Sequence, residues 1–137
     1  MNWTLEVVMV PVSDIDRAKD FYAGQVGFDV DHDTRIDDDI RVVQLTPPGS
    51  GCSIVLSKGL GNDMPPGSLT GLQLVVADIR AARAHLAERG VDVSDVQVVG
   101  ANPRPVDDPL DNVGFVFFVD PDGNGWAVQQ ISTRSTV

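Results

Sequence analysis

The sequence predicts an α+β fold made of two tandem βαβββ modules, and three features of its 137 residues carry that expectation. The first is an internal echo. With Val12 set over Val76, "VPVSDIDRAKDFY" and "VVADIRAARAHL" share Asp14 with Asp78, Ile15 with Ile79 and Ala18 with Ala82, while Lys19 falls over Arg83. The second is order: an apolar run, a helix-spaced stretch and three further strand-like runs occur twice. The third is turn chemistry, since Thr46-Pro47-Pro48-Gly49-Ser50 is mirrored by Asp120-Pro121-Asp122-Gly123-Asn124, Pro over Pro and Gly over Gly. Four strands and one helix leave one sheet face uncovered, and a duplicate placed beside it provides the cover.

In the first module, Leu5 to Val12 is apolar and β-branched without helical period, which predicts a buried strand. Ser13 offers an N-cap hydroxyl, and Asp14 and Asp16 place negative charge in a first helical turn. Ile15, Ala18, Phe21, Tyr22 and Val26 recur at three-to-four spacing and form an apolar face; Gly27 ends the helix. "FDVDHD" alternates and predicts a half-exposed strand; "IRVVQLT" and "CSIVLS" predict two more, joined by the turn at 47–50. The six aspartates between 29 and 39 suggest a charged edge that discourages strand pairing.

"KGLGNDMPPGS" is a linker rich in breakers. The second module then begins with the strand "LTGLQLVVA" and a helix from Asp78 to Arg89 that buries Ile79, Ala82 and Leu86 and stops at Gly90. "VDVSDVQVV" predicts a strand, 100–112 a polar loop, and "VGFVFFV" with "GWAVQQI" a closing hairpin. The expected organisation is a first module at 1–57, a linker at 58–69 and a second module at 70–137, in one compact domain.

Composition narrows the functional classes. A formal charge of −10 argues against a polyanionic partner such as nucleic acid, and no apolar run approaches the ~20 residues of a membrane span. "MNWTLEVVMV" has neither a basic region nor a signal-peptide hydrophobic core, and Cys52 is alone, which suits a reducing cytoplasm.

The duplicated module, the "VSDIDRAKDFY…VGFDV" start and the "DPDGNGW" hairpin resemble the vicinal oxygen chelate superfamily of glyoxalase I, bleomycin resistance proteins, extradiol dioxygenases and fosfomycin resistance enzymes. The resemblance covers about Leu5 to Ile131. It implies sheets curled around a divalent metal in the enzymatic members, with ligands from the first and last strands of each module. Those positions fall here on Val7, Gly71 and Ala127, and in the last strand of the first module on Ser53 or Val55. None is His, Glu, Asp or Cys, whereas a divalent ion needs several donor atoms at about 2.0–2.6 Å. The expectation is no metal and no cofactor. His32 and His85 read as surface residues, and "DVDHD" is not a calcium loop, because Thr34 and Ile40 stand where the loop glycine and closing glutamate belong.

Strand alternation gives the residues expected to face the cleft: Met9, Ser53 and Val55 from the first module, Gln73, Ala127 and Gln129 from the second. The last hairpin adds Phe115 and Phe117, or Val116 and Phe118, according to register, with Phe117 the candidate ligand contact. Such a surface, apolar and aromatic with a few amides, is typical of a small-molecule pocket. The expected function is a metal-free binding protein that sequesters an apolar or aromatic small molecule, and the resemblance to the bleomycin-resistance branch implies a homodimer. The alternative is a lyase, isomerase or dioxygenase with displaced ligands or a metal-independent mechanism. It would draw on Glu6, which has outward strand parity, on Asp107 and Asp108 in a lid loop beside Arg104, or on a histidine swung into the cleft.

Overall fold

The structure is a computed structural model that describes residues 1–61, 63–103 and 107–134; Arg104 of the expected lid lies outside the described residues. Its contacts divide the chain into two units: Met1–Leu69 with Asp120–Asn124, and Thr70–Val119 with Gly125–Val137. Among the described residues no helix is long and apolar enough to cross a membrane.

The first unit runs β1 (Val7–Met9), α1 (Ile15–Lys19, continuing as a π-helical segment, Asp20–Val26), β2 (Asp29–Arg35), β3 (Arg41–Thr46) and β4 (Ser53–Lys58). The second runs β5 (Leu72–Val76), α2 (Ile79–Glu88), β6 (Gln97–Val98), β7 (Gly114–Val119) and β8 (Gly125–Gln130). The sheet orders are β1-β4-β3-β2 and β5-β8-β7-β6, the same permutation. In each, the first strand lies parallel to the last and the remaining pairs are antiparallel. The fold is therefore α+β with two copies of one module, as the echo predicts.

The echo extends to atomic detail at the helix starts. Asp14 caps α1 by accepting from the Arg17 amide, and Asp78 caps α2 by accepting from the Ala81 amide, with backbone angles of −136°, 107° and −138°, 107°. Asp14, not Ser13, is thus the cap. Ser13 instead donates its amide (3.1 Å) and hydroxyl (2.5 Å) to the Asp122 carboxylate. After Lys19 the helix widens, and the Gly27 amide reaches back five residues to the Tyr22 carbonyl at 3.0 Å. The wider turn carries buried Val26 back toward the face of Phe21, and Gly27 closes the helix at φ 99°, a conformation that favours glycine.

Burial alternates along β3, β5, β7 and β8 as the pleat requires, whereas β4 is buried at Ser53–Leu56 without a break. In the first unit Val43, Leu45, Ile54 and Leu56 are buried together with Ala18, Tyr22 and Phe28. In the second, Val116, Phe118, Trp126 and Val128 are buried with Ile79 and Leu86 of α2. Each such aliphatic side chain removed from water contributes roughly 1.5–3 kcal/mol before entropy is set against it.

Three local readings are corrected. Ala82 is only half-buried, because α2 rests on its sheet chiefly through Ile79 and Leu86. The run "VDVSDVQVV" is a strand only at Gln97–Val98, because Ser94 takes over the ladder with a side chain. Its amide donates to the Phe117 carbonyl, and its Oγ accepts the Phe117 amide, both at 2.9 Å. In β2, an edge strand exposed along its length, Asp33 is not merely solubilising: its oxygens accept Arg41 Nε (3.0 Å), Arg41 Nη2 (2.8 Å) and Lys19 Nζ (2.9 Å). Arg41, 9% exposed, also donates to Asp16 at 2.7 Å. The guanidinium of Arg41, and then the Lys19 ammonium, hold the Asp33 carboxyl far below the ordinary carboxylate range, while its two aspartates raise the Arg41 pKa.

Candidate functional site

The site residues expected from sequence fall into one group in each unit. In the first, Met9 lies opposite Val55, and Val55 opposite Gln44; Val7 lies opposite Ser53. The helix caps Asp14 and Asp78 set the correspondence between modules, so Met9 corresponds to Gln73 and Val55 to Ala127. That correspondence resolves the open register in favour of Val55. Ser53 and Val55 are buried and Met9 is half-buried. Ser53 Oγ lies 2.6 Å from Thr46 Oγ1 and receives Gln44 Nε2 at 3.4 Å; Thr46 and Gln44 also donate to Asp31. This face of the first sheet is filled by side chains that satisfy one another.

The second sheet presents a different face. Gln73 pairs with Ala127 and Ala127 with Phe117, while Val75 pairs with Gln129 and Gln129 with Phe115. Phe115, Phe117, Ala127 and Gln129 therefore share the side away from α2, whereas Val116 and Phe118 are buried on the helix side. This settles the register of the last hairpin. Phe115 and Phe117 stack with centroids 6.0 Å apart, and Phe117 and Val119 stay 38% and 54% exposed although apolar.

A concavity of about 550 Å³ opens where β5 and β8 begin and β7 ends, bordered by Gly71, Gly125, Ala127, Phe117, Val119 and Val93. Its floor is poor in side chains. Gly71 has φ 89°, and a Cβ placed there would meet nothing within 4 Å, so the space in front of it is open. Gly125 lies opposite Val119, two residues before Ala127 on the same face. Segment 92–94 forms one wall, pinned by the Ser94–Phe117 bonds and by Arg83 Nε donating to the Ser94 carbonyl at 2.9 Å. Sequence reasoning missed Gly125, although stepping back two residues from Ala127 reaches it. It also missed Asp31, Gln44 and Thr46, whose hydrogen bonds depend on a β-bulge between Val30 and His32.

The polar groups of the site form a chain. Gln73 Nε2 donates to Gln129 Oε1 at 2.6 Å, and Gln129 Nε2 donates to the Asn112 carbonyl at 2.7 Å. Other candidates are engaged elsewhere. Asp108 accepts the Leu110 amide (2.9 Å) and Gln130 Nε2 (2.8 Å), and these bonds hold its carboxyl below the usual range. Buried Gln130 in turn accepts the Ile79 amide at 3.0 Å, so Asp108 belongs to the support of α2. Glu6 and Asp107 are exposed, His32 is exposed on β2, and His85 is exposed beside Arg89 on α2.

The donor set does not fit a divalent metal. Val7, Val55, Gly71 and Ala127 present hydrocarbon or hydrogen at the expected ligand positions, and Ser53 Oγ is engaged with Thr46. Among the described residues no group of three or more His, Cys, Asp or Glu side chains is placed to hold an ion.

Comparison with known proteins gives the family and the fold. The family model of the glyoxalase/bleomycin resistance protein/dioxygenase superfamily matches residues 4–128. Among solved structures, TnmS3, described as an antibiotic binding protein from Streptomyces sp. CB03234, is 37% identical with a TM-score of 0.77, covering 96% of this chain and 98% of that one. A glyoxalase/bleomycin resistance protein from the same organism is also 37% identical, with a TM-score of 0.73 and coverage of 93% and 100%. A superfamily member from Sphaerobacter thermophilus DSM 20745 is 28% identical at a TM-score of 0.73, with coverage of 94% and 98%. A search of curated proteins gave no match. The chain belongs to the glyoxalase/bleomycin resistance protein/dioxygenase superfamily.

Proposed function

We propose that this protein binds and sequesters an apolar or aromatic small molecule without a metal ion, its ligand lying on the open face of the β5-β8-β7 sheet. The single observation that carries the reading is the floor of Gly71, Gly125 and Ala127 beside Phe117. Of the positions that would carry metal-binding side chains in an enzymatic relative, the two in the second module, Gly71 and Ala127, carry almost nothing here, and the volume they leave is edged by an aromatic ring. A mostly apolar lining, with the Gln73 and Gln129 amides next to Ala127 on the same sheet face, suits a drug-sized ligand. The description of TnmS3 as an antibiotic binding protein makes antibiotics the first class to test. In this reading the protein works as a homodimer in a reducing cytoplasm, which the lone Cys52 suits.

A thermal-shift screen of aromatic antibiotics tests the proposal. A ligand at 100 times its Kd raises stability by about 2.7 kcal/mol, a shift of several degrees. The shift should disappear in Ala127→Leu, which fills the floor, and shrink in Phe117→Ala. Elemental analysis should find Zn, Ni, Fe and Mn well below one per chain, and a chelator should leave the Tm unchanged; one tightly held ion per chain would overturn the metal-free reading. Sedimentation at micromolar concentration should give twice the chain mass.

A further inference from the structure

We infer that the site selects aromatic ligands bearing a hydrogen-bond donor, a hydroxyl above all, and that Gln73 Oε1 is the group that reads it. The inference rests on the binding reading above and adds the ligand's polarity to it.

Asn112 has a φ of 66°, a left-handed conformation that asparagine tolerates better than most residues. Its amide donates to the Gln130 carbonyl at 2.8 Å and its carbonyl receives Gln129 Nε2 at 2.7 Å, so residue 112 is held from both sides. A backbone carbonyl can only accept, which gives the Gln129 amide one orientation. Gln129 Oε1 must then face Gln73 and accept from Gln73 Nε2, at 2.6 Å. The direction set at the backbone passes through two side chains and leaves Gln73 Oε1 as the outward end. Among the described residues no protein group donates to it.

Position turns this acceptor into a reader. Gln73, Ala127 and Phe117 lie side by side on three adjacent strands. At about 4.8 Å between strands, the Gln73 and Phe117 backbones are about 10 Å apart, with only the Ala127 methyl between them. A fused two-ring system laid over Ala127 has the Phe117 ring at one end and the Gln73 amide at the other. A hydroxyl there donates to Oε1. An ether in its place can accept from the remaining Nε2 hydrogen, yet it strips water from Oε1, which is exposed in the free protein, and gives it no donor in return, and an acceptor desolvated without a partner is costly.

The test uses the full chain with 2-naphthol and 2-methoxynaphthalene, which share a ring system and differ in the donor. By calorimetry or intrinsic fluorescence, 2-naphthol should bind roughly tenfold tighter. Gln73→Leu should bring the two within twofold of each other by weakening 2-naphthol alone. Gln129→Met keeps Gln73 but removes its anchor, so the amide is free to turn, and the preference should flatten there too. Equal binding of both probes to the wild type, lost in Ala127→Leu, would overturn the selectivity and leave the site standing. A preference that survives Gln73→Leu would also overturn it. Failure of both probes to bind the wild type would overturn the inference together with the binding reading.

Discussion

The two modules share strand order, cap geometry and pairing, yet their open faces differ. Across the first sheet the corresponding row reads Val7, Ser53, Thr46, and the Ser53 and Thr46 hydroxyls bond one another; across the second it reads Gly71, Gly125, Val119, and a concavity of about 550 Å³ stands over it. One row further in, Met9, Val55, Gln44 in the first module corresponds to Gln73, Ala127, Phe117 in the second. The helix-facing residues of both sheets are buried and mostly apolar, and the polar exceptions, Arg41 and Gln130, are each bonded to the helix they face. The comparison separates two demands on one fold. The side under the helix must exclude water, whereas the open side tolerates either self-satisfied packing or a vacancy for a ligand.

The largest effect is expected at the turns, where the modules also part. In the first turn the Ser50 amide donates to the Pro47 carbonyl at 3.0 Å, and its exposed hydroxyl accepts the Cys52 amide at 3.1 Å and donates to the Cys52 carbonyl at 3.0 Å. Asp120 in the second accepts the amides of Asp122, Gly123 and Asn124, each at 2.9 Å, and also Tyr22 Oη and Asn124 Nδ2, each at 2.7 Å. Asp120→Ala removes an acceptor from buried donors and should cost about 3 kcal/mol, a fall in Tm of roughly 10 °C. Ser50→Ala should cost less than about 0.5 kcal/mol. Equal losses in thermal melts would erase the distinction between the turns.

Next in size is a floor exchange. Gly125→Ser with Ala127→Val gives the second module the residues that the first carries at the same places. A Cβ at Gly125 would meet Thr70 Cγ2 at 3.5 Å, an ordinary contact, so the fold accommodates the change. Affinity for any aromatic ligand should fall about 30-fold or more, near 2 kcal/mol, with the ligand-free Tm within about 2 °C of wild type. Unchanged binding would show that the vacancy is not where the ligand lies.

Much of this contrast was legible in the residues. The echo places Asp14 over Asp78, and the caps turn out to be those aspartates, so an internal repeat located the helix starts better than the preference for a serine cap did. Alternation placed Gln73, Ala127 and Gln129 on one face because strand parity survives any uncertainty about strand ends, whereas Phe117 was fixed only by the pairing of β7 with β8. The short β6 was not legible: hydrophobic alternation from Val91 to Val99 looks continuous, and only the tertiary neighbour of Ser94 shows that a hydroxyl replaces a ladder bond. Asn112 was hidden for a similar reason, because its positive φ belongs to the loop that feeds β7. The Asp33–Arg41 pair could not be told from an exposed charged edge, since sequence spacing does not say which edge aspartate meets a buried cation.

That pair provides the third test, of ionic support in the first module. The folded pKa of Asp33 is depressed, so its stabilisation is fully present above the unfolded value of about 3.9 and is lost as pH falls through the folded value. Asp33→Asn should lower Tm by roughly 5 °C at neutral pH, because Arg41 stays buried with one partner fewer. The gap between variant and wild type should narrow only below about pH 4. A gap constant down to pH 2 would assign the loss to packing instead of charge.

The smallest expected effect tests the first module's open face most directly. Thr46 corresponds to Val119, so Thr46→Val makes the first sheet locally resemble the second while leaving its volume almost unchanged. The hydroxyl it removes bonds Ser53, which is 6% exposed, and also donates to Asp31. Ser53 keeps only the long bond from Gln44 at 3.4 Å, whereas Asp31 is exposed and regains water. The net cost is therefore that of one weakened buried hydroxyl, about 0.5–1 kcal/mol, with ligand affinity unchanged. A stabilised variant would mean that Ser53 finds water or another partner once Thr46 is gone, and that the polar face of the first module is not held together by these bonds. A loss of ligand affinity at constant stability would carry the binding surface onto the first module, and the division of labour drawn above would fail.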